Sequence, residues 1–331
     1  MPTSTLIKAT VTTFDHQRLL VLTAQLYYEQ ELTQSEISGR LRLSRQKVQR
    51  LLREAREQGI VRINIRPVIG AHTELEKTLE QGFGLGEAII VETAAYNQPS
   101  LVAGEIGAGA ADYLLRVLRP HDVVVISWGS SLLGMVDALQ AGSNSIGING
   151  VKVVQGLGGL GDPIDETHAT ELTRRLAKAL GGQAVLLPAP GVAGTYAAGE
   201  ALRNDPFVMR SLEQGAAANL AIMGIGAPRP DSILCRQSTI VSWSEIAELQ
   251  KQGAVGDINL RYYDDKGFPV ASDLDSRVIG LALDEIRKID RVVGVAGGSA
   301  KFEAIRAALK GNLVDILVTD HVTGQRLLDE F

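Results

Sequence analysis

Between residues 33 and 59 the apolar side chains recur at intervals of three and four. Ile37 and Leu41 do so in LTQSEISGRL, and Val48, Leu51, Leu52 and Ala55 in LSRQKVQRLLREAREQG. That spacing puts each set on one face of a helix and predicts two short amphipathic helices. Their ends are marked too. Thr33 followed three residues later by Glu36 is a capping-box signature, Ser44 is a good N-cap, and Gly59 supplies a C-terminal stop. The following GIVRINIRP reads as a short wing strand. In AHTELEKTLEQGFG, Leu75, Leu79 and Phe83 recur every four residues and predict one short connector helix.

From residue 88 the pattern changes to short continuous apolar runs separated by helical stretches: AIIVE, DVVVISW, VKVVQ, QAVLLP, NLAIMG, RVVGVA and VDILVT. Continuously apolar strands alternating with helices predict a mostly parallel sheet covered on both faces. One hairpin-like interruption, INLRYYDDKGFPV, carries turn residues at Asp264 to Gly267. The uncharged run Ala179 to Gly199 holds two prolines and five glycines, which suits strand–loop–helix and not a membrane span. The N-terminus lacks an apolar stretch of signal-peptide length, and the single cysteine, Cys235, allows no internal disulfide. Both point to a cytoplasmic chain without a membrane partner.

Charge divides the chain where the pattern does. The formal net charge is −5, yet residues 1–70 hold 11 Lys/Arg against 6 Asp/Glu, while residues 71–331 hold 22 against 32. A basic module is joined to an acidic one. On the second predicted helix Gln46, Gln49, Arg50 and Arg53 point away from the apolar stripe, Arg45 lies at the first turn, and Lys47 and Arg56 flank it. A basic face can simply be solvated. Here, however, a capped helix, a tight turn and a basic second helix coincide, which is the helix-turn-helix arrangement. Arg and Gln match guanine and adenine edges in the major groove, and the flanking cations suit phosphates. The candidate DNA-binding set is Thr33, Gln34, Ser44, Arg45, Gln46, Lys47, Gln49, Arg50 and Arg53.

The stretch LYYEQELTQSEISGRLRLSRQKVQRLLREAREQGIVRI closely resembles the N-terminal domain of SorC-family bacterial transcription regulators, whose pattern runs LYY, LTQ, I-A, LGLSR, V-x-RLL and A-x-x-x-G-I-V. Two positions depart from it: Ser38 replaces a small alanine, and Arg42 stands where glycine relaxes the turn. Arg42 should cost about 1 kcal/mol if its backbone is left-handed.

The loops after the predicted strands are SWGSS, QGLGGLGD, PAPG, GIGAP and GGSAK. Glycines there can be mere tight turns, but five such loops on one sheet edge predict a small-molecule pocket. Gly129, Ser130 and Ser131 open a helix and suit a phosphate; so do Gly297 and Gly298 with Lys301. Gly156, Gly158 and Gly161 spell a dinucleotide-type motif, but no acid lies between Glu171 and Glu200 to take a ribose, so no nicotinamide cofactor is expected.

The resemblance extends through this domain, in Gly256–Asp257–Ile258 and the succession GGSAKFEAI, ALKG and LVTD. It implies a sugar-phosphate-binding domain similar to sugar-phosphate isomerases and deaminases. On that resemblance Asp257 would accept hydrogen bonds from effector hydroxyls, Lys301 with Ser130 and Ser131 would hold the phosphate, and Gln155, Gly156, Gly158, Gly159 and Gly226 would line the pocket.

An isomerase-like enzyme is the rival reading. His16 and His72 precede the domain, His121 lies before a strand, His168 falls within a helix, and His321 follows Thr319–Asp320; none stands in a glycine loop beside a nucleophile. No metal-ligand spacing is visible. The expectation is an α/β protein without catalysis, metal or cofactor. It comprises a winged helix-turn-helix domain (1–70), a linker or dimerisation helix (71–86) and a Rossmann-like doubly wound effector domain (87–331). It would be a homo-oligomer, dimer or tetramer, acting on operator DNA, a repressor or activator under a sugar or polyol phosphate.

Overall fold

The computed structural model describes residues 4–61, 72–94, 96–142, 147–160, 169–229 and 241–330. The chain forms two compact units, Met1–Val68 and Ile69–Phe331.

In the first unit, helices α1 (Ser4–Tyr28), α2 (Gln34–Leu41) and α3 (Arg45–Glu57) surround a small core. Leu20 and Ala24 of α1 meet Leu51 and Ala55 of α3, while Leu26, Ile37, Val48 and Leu52 close the other half. The long α1 was not foreseen, because its β-branched STLIKATVTTF segment shows no clean helical stripe. The predicted caps form. Glu36 N donates to Thr33 Oγ and the Glu36 carboxylate takes both the Thr33 amide and hydroxyl, holding that carboxyl below its usual pKa. Ser44 Oγ accepts from Lys47 N at 3.2 Å.

The turn between α2 and α3 explains both departures from the family pattern. Arg42 adopts φ 54, ψ 42, the left-handed conformation that glycine tolerates best. Ser38 Oγ, where alanine is usual, donates to Leu43 O at 2.5 Å and ties the strained turn back to α2. Residues 62–67 of the expected wing strand lie outside the described residues.

Among the described residues of the second unit, nine strands build one sheet: β1 (Glu87–Val91), β2 (Val123–Ile126), β3 (Lys152–Gln155), β4 (Gln183–Val185), β5 (Leu220–Gly226), β6 (Gly256–Ile258), β7 (Arg261–Tyr263), β8 (Val292–Val295) and β9 (Ile316–Asp320). The parallel order is β1-β9-β8-β5-β2-β3-β4, and the β6–β7 hairpin pairs antiparallel with the end of β5. Helices α5 (Pro99–Val117), α6 (Ser130–Ala141) and α7 (Ala169–Leu180) cover one face through Ile106, Leu114, Leu132, Met135, Leu172 and Leu176. The connector helix α4 (Thr73–Phe83), α8 (Tyr196–Arg203), α9 (Pro206–Ala216) and the C-terminal helices lie elsewhere. Leu79, Leu281, Ile286, Phe302, Leu309 and Leu327 pack the opposite face. The sheet is therefore doubly wound, as its continuously apolar strands require. α5 and α6 approach so closely that a Cβ on Gly107 would stand 2.5 Å from the Gly134 carbonyl carbon.

The expected turn at Asp264–Gly267 is present, and a further one precedes it. Strands β6 and β7 are joined at Asn259–Leu260, both at positive φ (58° and 60°), and the Asp264–Gly267 turn follows as a second reversal, closed by Gly267 N to Asp264 O at 3.0 Å. Leucine rarely takes such a conformation, but here its side chain is wholly buried, and that packing offsets the strain.

Candidate functional site

On α3 the alternation of burial matches the alternation of chemistry. Val48, Leu51, Leu52 and Ala55 are buried, whereas Ser44, Arg45, Gln46, Lys47, Gln49, Arg50, Arg53 and Arg56 are exposed. Thr33 is exposed and Gln34 half-buried at the start of α2. Among the described residues no hydrogen bond or ion pair holds the side chains of Arg45, Gln46, Lys47, Gln49, Arg50 or Arg53. They form a cationic, hydrogen-bonding surface on a helix pinned from behind.

The larger unit carries a cavity of about 360 Å³ at its topological switch point. β2 leads on to β3 and β4 on one side, and β5 leads to β8 and β9 on the other, so the loops after β2 and β5 diverge and leave a crevice. Gly129, Ser130 and Ser131 enter it from the first loop, Gly226 from β5, Asp257 from β6, and Lys301 from the turn before helix 302–310. Pro99 and Ser100 at the start of α5, with Trp128 and Arg229, complete the wall and were not foreseen. Trp128 lies within the predicted loop SWGSS and Arg229 follows GIGAP; nothing in the sequence ties the distant Pro99–Ser100 to them.

Two helices open on this cavity without side-chain caps. Gly129 at the head of α6 (φ 126) and Gln98 at the head of α5 make no side-chain capping bond; α6 leaves its first-turn amides for an anion, whereas in α5 Pro99 has no N–H and Leu101 N already donates to Gln98 O, so α5 offers the Ser100 amide. Lys301 adds a cation. Asp257 is its counterpart. Burial pushes its carboxyl from 3.8 up to about 6, against the Leu260 amide and Lys301, which favour the charged form. Burial likewise lowers Lys301, and Asp257 opposes that. Gly226 is obligatory beneath the carboxylate, since a Cβ there would meet Asp257 Oδ1 at 2.1 Å. The cavity is thus anion-receptive at one wall and hydroxyl-accepting at another.

Six predicted residues, Gln155, Gly156, Gly158, Gly159, Gly297 and Gly298, are not among the described residues that line this cavity. Gln155 is 1% exposed and spent on the protein itself: Nε2 donates to Leu157 O (2.7 Å) and Thr170 Oγ (3.2 Å), and Oε1 accepts from Leu187 N. The Gly156 carbonyl takes Asn259 Nδ2 and Leu281 N. Gly158 and Gly159 lie against residues 189–191, where a Cβ on Gly158 would meet Pro190 O at 2.5 Å. These glycines permit backbone-to-backbone packing, not ligand approach. Gly297 and Gly298 lie behind the wall: Gly298 N donates to buried Asp320 Oδ2 at 2.7 Å, which orients the loop bearing Lys301. Gly161 falls outside the described residues.

Comparison with known proteins gives these surfaces a context. Residues 68–329 match the family model described as "Putative sugar-binding domain". The chain is 31% identical over 316 residues to the deoxyribonucleoside regulator of Bacillus subtilis (96% of this chain, 99% of that one). It is 34% identical over 307 residues to the transcriptional regulator LsrR of Escherichia coli K12 (92% of each). The crystal structure of the full-length sorbitol operon regulator SorC from Klebsiella pneumoniae superposes with a TM-score of 0.70 at 28% identity, covering 94% of this chain and 98% of that one. The fold and these relatives define a class: a transcriptional regulator with a sugar-binding domain, not an enzyme. The chain belongs to the SorC family. Among the described residues no helix is long and apolar enough to cross a membrane.

Proposed function

We propose that the protein binds operator DNA of a carbohydrate-catabolism operon through a helix-turn-helix and is switched by a phosphorylated sugar or polyol. The observation that carries this is the pairing of two uncapped helix N-termini and Lys301 with the buried carboxyl of Asp257 around one cavity. A phosphate would sit on the amides of Ser130 and Ser131 with Lys301, and effector hydroxyls would donate to Asp257. In the other unit Gln46, Gln49, Arg50 and Arg53 would read base edges while Thr33, Gln34, Ser44, Arg45 and Lys47 position the backbone. A homodimer or homotetramer would present paired copies of α3 to paired half-sites. Effector preference for one assembly geometry of a hundredfold, about 2.7 kcal/mol, is enough to change operator occupancy.

A thermal-shift screen of sugars against their phosphates tests the ligand class. Phosphorylated hits that raise the melting temperature and are recovered unchanged are expected. A response to free sugars equal to that for their phosphates would contradict the phosphate assignment.

A further inference from the structure

β1 and β9 end side by side, with Val91 registered on Asp320. Just beyond them three donors from three elements converge. His72 occupies the N-cap position of α4, Glu92 follows β1, and His321 opens the C-terminal helix. His72 Nε2 lies 2.6 Å from Glu92 Oε2, and His321 Nε2 lies 3.7 Å from Glu92 Oε1. The two imidazoles stack with centroids 5.4 Å apart and planes 8° from parallel. One donor atom from each residue falls within 4.8 Å of the other two. Residues 72 and 92 are 20 positions apart and His321 stands near the chain's end, so no local spacing announces the group.

We propose that His72, Glu92 and His321 form a binding site for a divalent transition-metal ion of the zinc, nickel or cobalt type. Two ligands on a tetrahedral ion with bonds of about 2.0–2.1 Å stand about 3.3 Å apart. The His72–Glu92 pair must open slightly, the His321–Glu92 contact must close by about 0.4 Å, and the three donors, now within 4.8 Å of one another, must draw in to that spacing. Glu92, 62% exposed, has room to move, whereas both imidazoles are held in place by half-burial and stacking. A two-histidine, one-carboxylate set leaves further positions for water and favours imidazole-binding ions over magnesium or calcium. One contact opposes loading. The Thr93 amide donates to His321 Nδ1 at 3.2 Å, which leaves the ring proton on Nε2. Coordination through Nε2 needs the ring proton moved to Nδ1, which then no longer accepts from the Thr93 amide, so the metal bond must outweigh that lost hydrogen bond and weak imidazole binders do not load.

The site would join the first described residue of the connector segment to the ends of two strands. Asp320, next to His321, holds the Gly298 amide. A bound ion would therefore fix the entry to α4 one residue away from the anchor of the Lys301 loop.

The test is equilibrium binding of zinc chloride to the untagged full-length chain, read by calorimetry and by metal content after gel filtration. The expected result is one ion per chain, with no binding of magnesium chloride at the same concentration. His72→Ala and His321→Ala should each weaken zinc binding by about tenfold or more, and Glu92→Gln, an exposed change that leaves the fold alone, by a similar factor. Loss of Thr93 amide protection in hydrogen exchange on adding zinc would distinguish coordination at His321 from zinc held elsewhere. Unchanged affinity in Glu92→Gln and in the histidine variants, or zinc binding abolished by Cys235→Ser instead, would overturn the proposal.

Discussion

The two candidate functional surfaces of this chain are built in opposite ways. The α3 face is local: eight exposed polar side chains and four buried apolar ones share one helix, and its caps lie within three residues of its ends. The cavity is assembled from segments near residues 100, 130, 225, 257 and 300, which only the sheet topology brings together. A local surface depends on one helix staying packed. An assembled one depends on loop backbones and on the energetics of buried charge. Changes to the two should therefore separate cleanly.

The largest effect should come from undermining the local surface from behind. Leu51→Ala removes a fully buried side chain from a core of a few residues and should cost about 2–5 kcal/mol. Because that core belongs to the small unit, operator binding should vanish in a gel shift while the effector-induced thermal shift of the larger unit survives. Loss of both would erase the contrast.

Asp257→Asn probes the assembled surface. A raised pKa means the folded protein holds this proton more tightly than the unfolded chain does. The ionisation penalty is fully present above about pH 6 and fades as pH falls through it toward the ordinary carboxylate range. The amide variant should gain up to about 3 kcal/mol at pH 7.5, two pKa units at about 1.4 kcal/mol each, and progressively less on acidification. It should lose effector affinity as it gains stability. Denaturant melts at several pH values measure the first, and ligand titrations the second.

Arg50→Ala, an exposed change, should leave the melting temperature unaltered and cost about 1–3 kcal/mol of specific operator binding, with relaxed preference at one base position. Unaltered sequence preference would remove Arg50 from the base-reading set. The smallest effect concerns the turn. Arg42→Gly relieves a left-handed backbone and should stabilise the small unit by about 1 kcal/mol, visible as a modest rise in its unfolding midpoint.

The same contrast governs what could be read from residue order. The α2–α3 pair was legible because capping boxes, N-caps and a helical stripe are short-range rules. The alternating strands gave the doubly wound class for the same reason. Strand order was not legible, so Pro99–Ser100 could not be assigned to the wall that Lys301 completes. Gln155 and the glycines after it could not be placed from sequence, since a glycine-rich loop has the same composition whether glycine admits a ligand or, as at Gly158, a neighbouring backbone. The turn at Asp264–Gly267 was legible from its turn-forming residues, whereas the β6–β7 turn at Asn259–Leu260 was not, because nothing local marks a leucine as left-handed. His72, Glu92 and His321 were invisible as a group for want of a shared segment.

The central claim is that an anionic sugar ligand in the switch-point cavity controls DNA binding by α3. The direct measurement is a gel-shift titration of operator DNA at fixed protein concentration, varying a phosphorylated effector, for the natural chain and Lys301→Ala. The account predicts equal operator affinity without effector, and a response in the variant only at about tenfold higher effector concentration or more. A variant that responds at the same concentration as the natural chain would contradict it.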